Sequence, residues 1–195
     1  MAVEIAPQVA PVGAQVSNET APYKESFLWE WATTVDHKKI GILYLLTGGL
    51  FFLIGGLEAL LVRTQLMVPR SDFMSADLYN QMFTMHATTM IFLAVMPINV
   101  GLGNFIVPLM VGALDMAYPR LNAFSYWLYL FGGIFLNLSF VMGGAPNVGW
   151  FGYAPLTENQ YSGSGTDFWV IGLQILGVAS IAGALNFVVT ILKMR

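Results

Sequence analysis

The sequence predicts an all-α, polytopic membrane helix bundle with four transmembrane helices. Three observations carry that expectation. Of 195 residues, 56% are hydrophobic and only 10% are charged, whereas a soluble domain carries roughly a quarter charged residues to face water. Mean hydropathy is +0.67. The apolar residues gather into four runs, each long enough to cross a bilayer at about 20 residues per crossing. The chain contains no cysteine, which removes disulfides, iron–sulfur ligation and thiol catalysis together. A net charge of -3 implies no nucleic-acid partner, and lipid takes the place of water as solvent.

Residues 1–28 are rich in Ala, Pro, Val and Ser and hold no apolar run. They read as a flexible cytoplasmic tail; a cleaved signal peptide would need a basic start followed by an apolar core. The bundle then occupies residues 29–195. A first span is expected at 40–62, thinned by Gly48, Gly49, Gly55 and Gly56, with Glu58 near its far end in reach of the interface. A second runs over 79–110 without a single charge, and there Pro97 and Pro108 each remove a backbone donor and predict kinks. A third is expected at 123–143. The stretch Gly143–Gly165, rich in Gly, Pro, Asn and Ser, follows as the longest connection. A fourth span at 168–191 carries the small pair Ala179 and Gly183, which favours close helix contact in lipid. No tandem repeat is visible.

Basic residues set the expected orientation. Lys24, Lys38, Lys39, Arg120, Lys193 and Arg195 fall on one side of the four spans, and only Arg63 and Arg70 on the other. The positive-inside rule then places both termini in the cytoplasm. His86 accordingly lies toward the outer face and Asp115 toward the inner.

His86 is the most informative residue. An ionisable side chain inside a membrane segment is costly and marks function by default. Neutral imidazole is a good iron ligand, so haem is the natural candidate. Zinc lacks a ligand set here, because no cysteine, second histidine or acid stands nearby. The bland alternative is a histidine that only hydrogen-bonds a neighbouring helix. Met82, Met85 and Met90 read as packing. Asp115, as a loop acid, could equally cap a helix or pair with Arg120.

Local motifs add a family resemblance. Trp31-Ala-Thr-Thr-Val-Asp36-His37-Lys38-Lys39-Ile-Gly-Ile-Leu-Tyr44 resembles the opening of subunit I of the haem–copper oxidases. Phe83-Thr-Met-His86 followed by Met90-Ile-Phe is similar to that family's low-spin haem histidine motif. Gly103-Asn104-Phe-Ile-Val-Pro108-Leu, Asp115-Met-Ala-Tyr-Pro119-Arg120-Leu-Asn122, and Gly149-Trp150 through Pro155-Leu156 match further blocks in the same order. Leu185-Asn186-Phe187 and Ile191-Leu-Lys-Met-Arg195 complete the series.

The resemblance, which covers about residues 29–195, implies part of a proton-pumping respiratory terminal oxidase that reduces oxygen to water. It implies His86 as an axial ligand of a low-spin haem, with haem a as the type. Arg63 matches an arginine that hydrogen-bonds a substituent of that haem, and Trp150 a tryptophan near its propionates. Asp115 matches the cytoplasmic mouth of a proton pathway, with Asn104 and Asn122 at its start. Tyr44, Ser125, Ser180 and Asn186 match positions along or beside that path, although a membrane asparagine can also serve only as an interhelical hydrogen-bond donor. A high-spin haem and copper B would complete the subunit. Expected partners are the remaining part of subunit I, subunits II and III, and cytochrome c, in a bacterial plasma membrane with the mitochondrial inner membrane as alternative.

Two departures shape the expectation. The family has about a dozen spans, so four imply an N-terminal portion without the oxygen-reducing centre. Quinol-oxidising relatives carry a basic residue on the first span and a histidine before the second, where this chain has Ile54 and Leu78. That favours cytochrome c as donor over quinol, while Glu58 keeps an acid nearby. Gln65 stands where some relatives have a metal-binding glutamate, so no calcium or sodium site is expected. A non-catalytic membrane protein and a small membrane cytochrome are the readings from other classes.

Overall fold

A computed structural model describes residues 26–195. The expected tail, and Lys24 with it, lies outside the described residues except for its last three, where a short helix begins. That helix, α1 (Phe27–Ala32), belongs to the first of two compact units, and in it Phe27 and Trp31 pack ring against ring at 5.8 Å. The second unit, from Thr33 onward, is helical and holds, among the described residues, four helices long and apolar enough to cross a membrane.

The first is α2 (His37–Gln65). Asp36 starts it by accepting from the backbone N–H groups of Lys38 at 2.7 Å and Lys39 at 3.3 Å, the usual remedy for orphan donors at a helix N-terminus. The second crossing is continuous from Ala76 to Val111 but composite. It comprises α3 (Ala76–Thr88), a π-helical segment (Thr89–Val95) and α4 (Met96–Val111). The third, α5 (Pro119–Asn137), tightens into a 3₁₀ turn at Leu138–Phe140, and α6 (Ser164–Lys193) is the fourth. Expected and observed spans differ at the ends only. The third stops at Phe140 rather than residue 143, because Val141–Gly143 turn out of the helix, with Gly143 at φ 115°.

The two prolines of the second crossing have a specific remedy. In an α-helix, residue i−4 loses its N–H partner when residue i is proline. Pro97 frees the carbonyl of Leu93, and Tyr129 of α5 donates its hydroxyl to that oxygen at 2.8 Å. Pro108 frees the carbonyl of Asn104, and His37 Nδ1 reaches that oxygen at 2.8 Å. Neighbouring elements thus re-satisfy both freed groups, as apolar surroundings require. A π-helical segment stands just before Pro97. His37 is correspondingly buried, at 2% exposure.

This arrangement predicts that Tyr129→Phe lowers stability by ~1–3 kcal/mol, the cost of a buried carbonyl left unpaired. The heat-inactivation half-life of the purified protein reads the loss. Pro97→Ala in the same chain restores an N–H for Leu93, so the double variant recovers most of it. If the two changes simply add, the pairing is not what Tyr129 contributes.

α2 packs along the second crossing through glycines seven residues apart. A Cβ on Gly41 would lie 2.9 Å from the Gly101 carbonyl oxygen, and one on Gly101 would lie 2.9 Å from the Gly41 oxygen. Gly48 meets Ile98, and Gly55 meets Met90 and Thr89. Gly49 and Gly56 face open space, so only half of the glycines expected to thin this helix do so. The pair Ala179 and Gly183 divides likewise. Ala179 is buried in the core, whereas a Cβ on Gly183 would touch nothing, and both residues line a cavity of about 390 Å³.

The core runs between these helices through Ile40, Tyr44 and Phe51 of α2, Met85 and Leu93, Tyr126 and Tyr129 of α5, and Trp169 and Leu176 of α6. Tyr44 stacks on Tyr129 and meets Tyr126 edge-on, each at 5.2 Å.

Candidate functional site

His86 stands in the last turn of α3, half-buried, with Nδ1 2.8 Å from the carbonyl oxygen of Gly55 on α2. A carbonyl accepts only, so Nδ1 carries the proton and donates. The neutral tautomer then keeps its lone pair on Nε2, the atom that ligates a metal. Nε2 has no hydrogen-bond partner among the described residues. Gly55 makes this possible locally, since its missing side chain lets Met90 and Thr89 close on α2. This donor chemistry fits a haem iron with one imidazole ligand from this chain. No group of three or more His, Cys, Asp or Glu side chains that could hold a bare metal ion exists among the described residues.

Arg63 lies in the last turn of α2, exposed, eight residues past Gly55 and so about 12 Å further along the axis. Trp150 follows Gly149 in the connection between α5 and α6 and is 42% exposed, with its ring against Phe151. Glu58 departs from expectation. It is buried on the face that carries Gly48 and Gly55, and its Oε2 has no protein partner.

The residues expected along a proton path are not all brought together. Tyr44, Ser125 and Asn122 join directly, the Tyr44 hydroxyl 3.1 Å from Ser125 Oγ, which donates to the Asn122 carbonyl at 2.8 Å. Asn104 and Asn122 are fully buried, and each keeps one polar atom free of protein partners, Oδ1 of the first and Nδ2 of the second. Such buried, unpaired atoms are uncommon and call for a further polar group or water. Ser180 lies apart from both, on the wall of the cavity that Tyr44 and Tyr129 also line.

Asp115 lies half-buried in the connection before α5 and accepts the Met116 N–H at 2.6 Å. Neither structural alternative applies, because α5 has no side-chain cap and Asp115 makes no ion pair with Arg120. Its connection is tied to α6. Asn186 Oδ1 accepts the Tyr118 N–H at 2.9 Å while Nδ2 donates to the Tyr118 carbonyl at 3.0 Å. Thr190 Oγ1 accepts the Ala117 N–H at 2.9 Å.

Sequence reasoning missed Thr190, His37 and Tyr129. The last two were discoverable, since a proline in a membrane helix announces a needy carbonyl four residues earlier. A polar face of α3 formed by Asp77, Gln81, Thr84 and Thr88 was also missed, although its spacing of four, three and four marks one helix side.

Fold and site together define a multi-pass membrane protein whose second crossing offers an imidazole nitrogen and whose interior also holds buried hydroxyls and amides. Residues 39–195 match the family described as Cytochrome C and Quinol oxidase polypeptide I, and the chain belongs to that family. It is 55% identical over 168 residues to the cytochrome c oxidase subunit 1 of Bacillus sp. (strain PS3), covering 86% of this chain and 27% of the relative. Identity is also 55%, over 170 residues, with the protein of that name from Bacillus subtilis (strain 168), covering 87% and 27%. The quinol oxidase subunit 1 of Bacillus subtilis (strain 168) is 46% identical over 174 residues, covering 88% and 27%. The chain thus spans about a quarter of the length of these relatives.

Proposed function

We propose that this chain forms the low-spin haem arm and the proton-uptake mouth of the catalytic subunit of a respiratory terminal oxidase. The whole subunit would pass electrons from cytochrome c through that haem to a haem–copper centre, reduce oxygen to water and translocate protons. The observation that carries the reading is the His86 Nδ1 contact with the Gly55 carbonyl, which leaves Nε2 free to ligate iron. Bound haem supplies one-electron chemistry; the chain's part is to hold it and to handle protons. His86 would ligate the iron of a haem a, Arg63 would hydrogen-bond a substituent of the ring, and Trp150 would lie near the propionates. The high-spin haem and copper B take their ligands from the rest of the subunit.

Asp115 takes up protons from the cytoplasm. The unpaired amide atoms of Asn104 and Asn122 hold water that passes them on, and Ser125 and Tyr44 continue the polar file. Ser180 lines the cavity beyond, while Asn186 holds Asp115's connection in place. The subunit works in a bacterial plasma membrane with its N-terminus in the cytoplasm, beside subunits II and III. Cytochrome c is the donor, because Ile54 and Leu78 are apolar where quinol-oxidising relatives place a basic residue and a histidine.

The test is a reduced-minus-oxidised spectrum of membranes carrying the whole reading frame, reduced with cytochrome c or with a quinol. His86→Ala is expected to abolish the low-spin haem band. A band that survives makes His86 a packing residue and overturns the haem assignment. Faster reduction by quinol than by cytochrome c overturns the donor.

A further inference from the structure

We propose that the face of α3 opposite His86, formed by Thr84 and Thr88 with Asp77 and Gln81, is a positioning device that aims the His86 imidazole at its metal. The inference rests on the reading that His86 ligates a haem iron.

Thr84 and Thr88 each lie two residues from His86, roughly 200° around a helix, and so on its far side. Four hydrogen bonds fasten that far side to other parts of the chain. Asn147 Nδ2 donates to Asp77 Oδ1 at 2.6 Å, and the Ala145 N–H to Gln81 Oε1 at 3.1 Å. The Gly149 N–H donates to Thr84 Oγ1 at 2.9 Å, and Trp169 Nε1 of α6 to Thr88 Oγ1 at 3.1 Å. Asp77 and Gln81 are further joined at 2.6 Å. Thr84, Thr88 and Gly149 are all buried, so these bonds form away from water, where an unpaired partner is costly. Gly149 adopts φ 75°, a left-handed backbone that suits glycine.

Mechanically, the arrangement fixes rotation of α3 about its own axis. A turn of about 10° moves an atom at the rim of a helix, ~5–6 Å out, by about 1 Å. A metal ligand tolerates little more than half that. On its own side His86 has one tether, the Gly55 carbonyl. Just C-terminal to it the π segment that starts at Thr89 breaks the regular α-helical register. The four bonds on the far side hold the rotation of the turns before that break. Thr84 and Thr88 donate their own protons to the carbonyls of Asn80 and Thr84, which orients both hydroxyls to accept.

The experiment uses the full oxidase, purified with its haems. Thr84→Val keeps the shape and removes the acceptor for the Gly149 N–H. It is expected to retain the low-spin haem but to shift its reduced absorption band by a few nanometres and to change the g-values of its oxidised form in electron paramagnetic resonance. Thr84→Ser restores the hydroxyl and should restore both signatures. Asn147→Ala, at the exposed rim, should give a smaller shift without disturbing folding, and it decides alone if Thr84→Val fails to accumulate. Wild-type signatures in the accumulating variants overturn the inference, provided His86→Ala abolishes the band. A shift that Thr84→Ser reproduces belongs to packing and overturns it as well. A band that survives His86→Ala overturns the ligand reading itself, and this inference with it.

Discussion

Asn186→Leu is expected to slow proton-coupled turnover of the full oxidase to the level of Asp115→Asn, although Asn186 lies 71 residues further along the chain. The reason is the bidentate clip. One amide satisfies both backbone groups of Tyr118, its oxygen taking the N–H at 2.9 Å and its nitrogen serving the carbonyl at 3.0 Å. Leucine has a similar volume but can do neither, and Asn186 is fully buried, so water cannot readily substitute. The Tyr118 carbonyl keeps the Asn122 N–H at 3.0 Å, so the lost partner of the Tyr118 N–H is the cost, ~1–3 kcal/mol. The connection relieves that cost by moving away from α6 and carries Asp115 with it. Thr190→Val removes only the Ala117 anchor and should show a smaller effect of the same kind. Oxygen consumption and proton uptake by the enzyme in liposomes measure both. If Asn186→Leu shortens the heat-inactivation half-life while turnover stays normal, the clip stabilises the fold without aiming Asp115.

The number and kind of elements were legible because hydrophobic run length is a crude, strong signal in a membrane protein. Each crossing needs its own stretch, and charges in the connections mark the ends. His86 stood out for the same reason, since a histidine in an uncharged segment of this length has to be explained. What could not be read was which polar atoms meet. Nothing in the first span singles out the Gly55 carbonyl, yet that oxygen selects the tautomer of His86. His37 looked like one more polar residue at a helix start, but it docks on the Asn104 carbonyl freed by Pro108. Asn186 was correctly noticed as a polar residue in a span. Its partners come from a connection 68 residues earlier, and no local pattern announces such a pairing. Glu58 was placed by its distance from the helix end, when its heptad relation to Gly48 and Gly55 was the better guide to its burial.

Glycine spacing shows the same contrast and leads to the second large effect. Gly101→Val is expected to push α2 off α4 and cost ~3 kcal/mol or more, the upper range for forcing side-chain volume into a packed interface. Most overpacked sites relax because a flexible side chain can move. Here an added Cβ would lie 2.9 Å from the Gly41 carbonyl oxygen and 2.9 Å from the Tyr44 Cβ, so the backbone of α2 itself must retreat. In lipid that close backbone approach supplies much of the contact energy between helices. The consequences also reach both halves of the site. α2 carries Tyr44, bonded to Ser125, and the Gly55 carbonyl that holds His86. A displaced α2 therefore loosens the Tyr44–Ser125 contact and the imidazole together, whereas Asn186→Leu touches neither directly. The expected result is a shorter heat-inactivation half-life with a broadened low-spin haem band, against an unbroadened band in Asn186→Leu. A Gly101→Val protein with wild-type stability would mean that the helices do not cross at this pair of glycines.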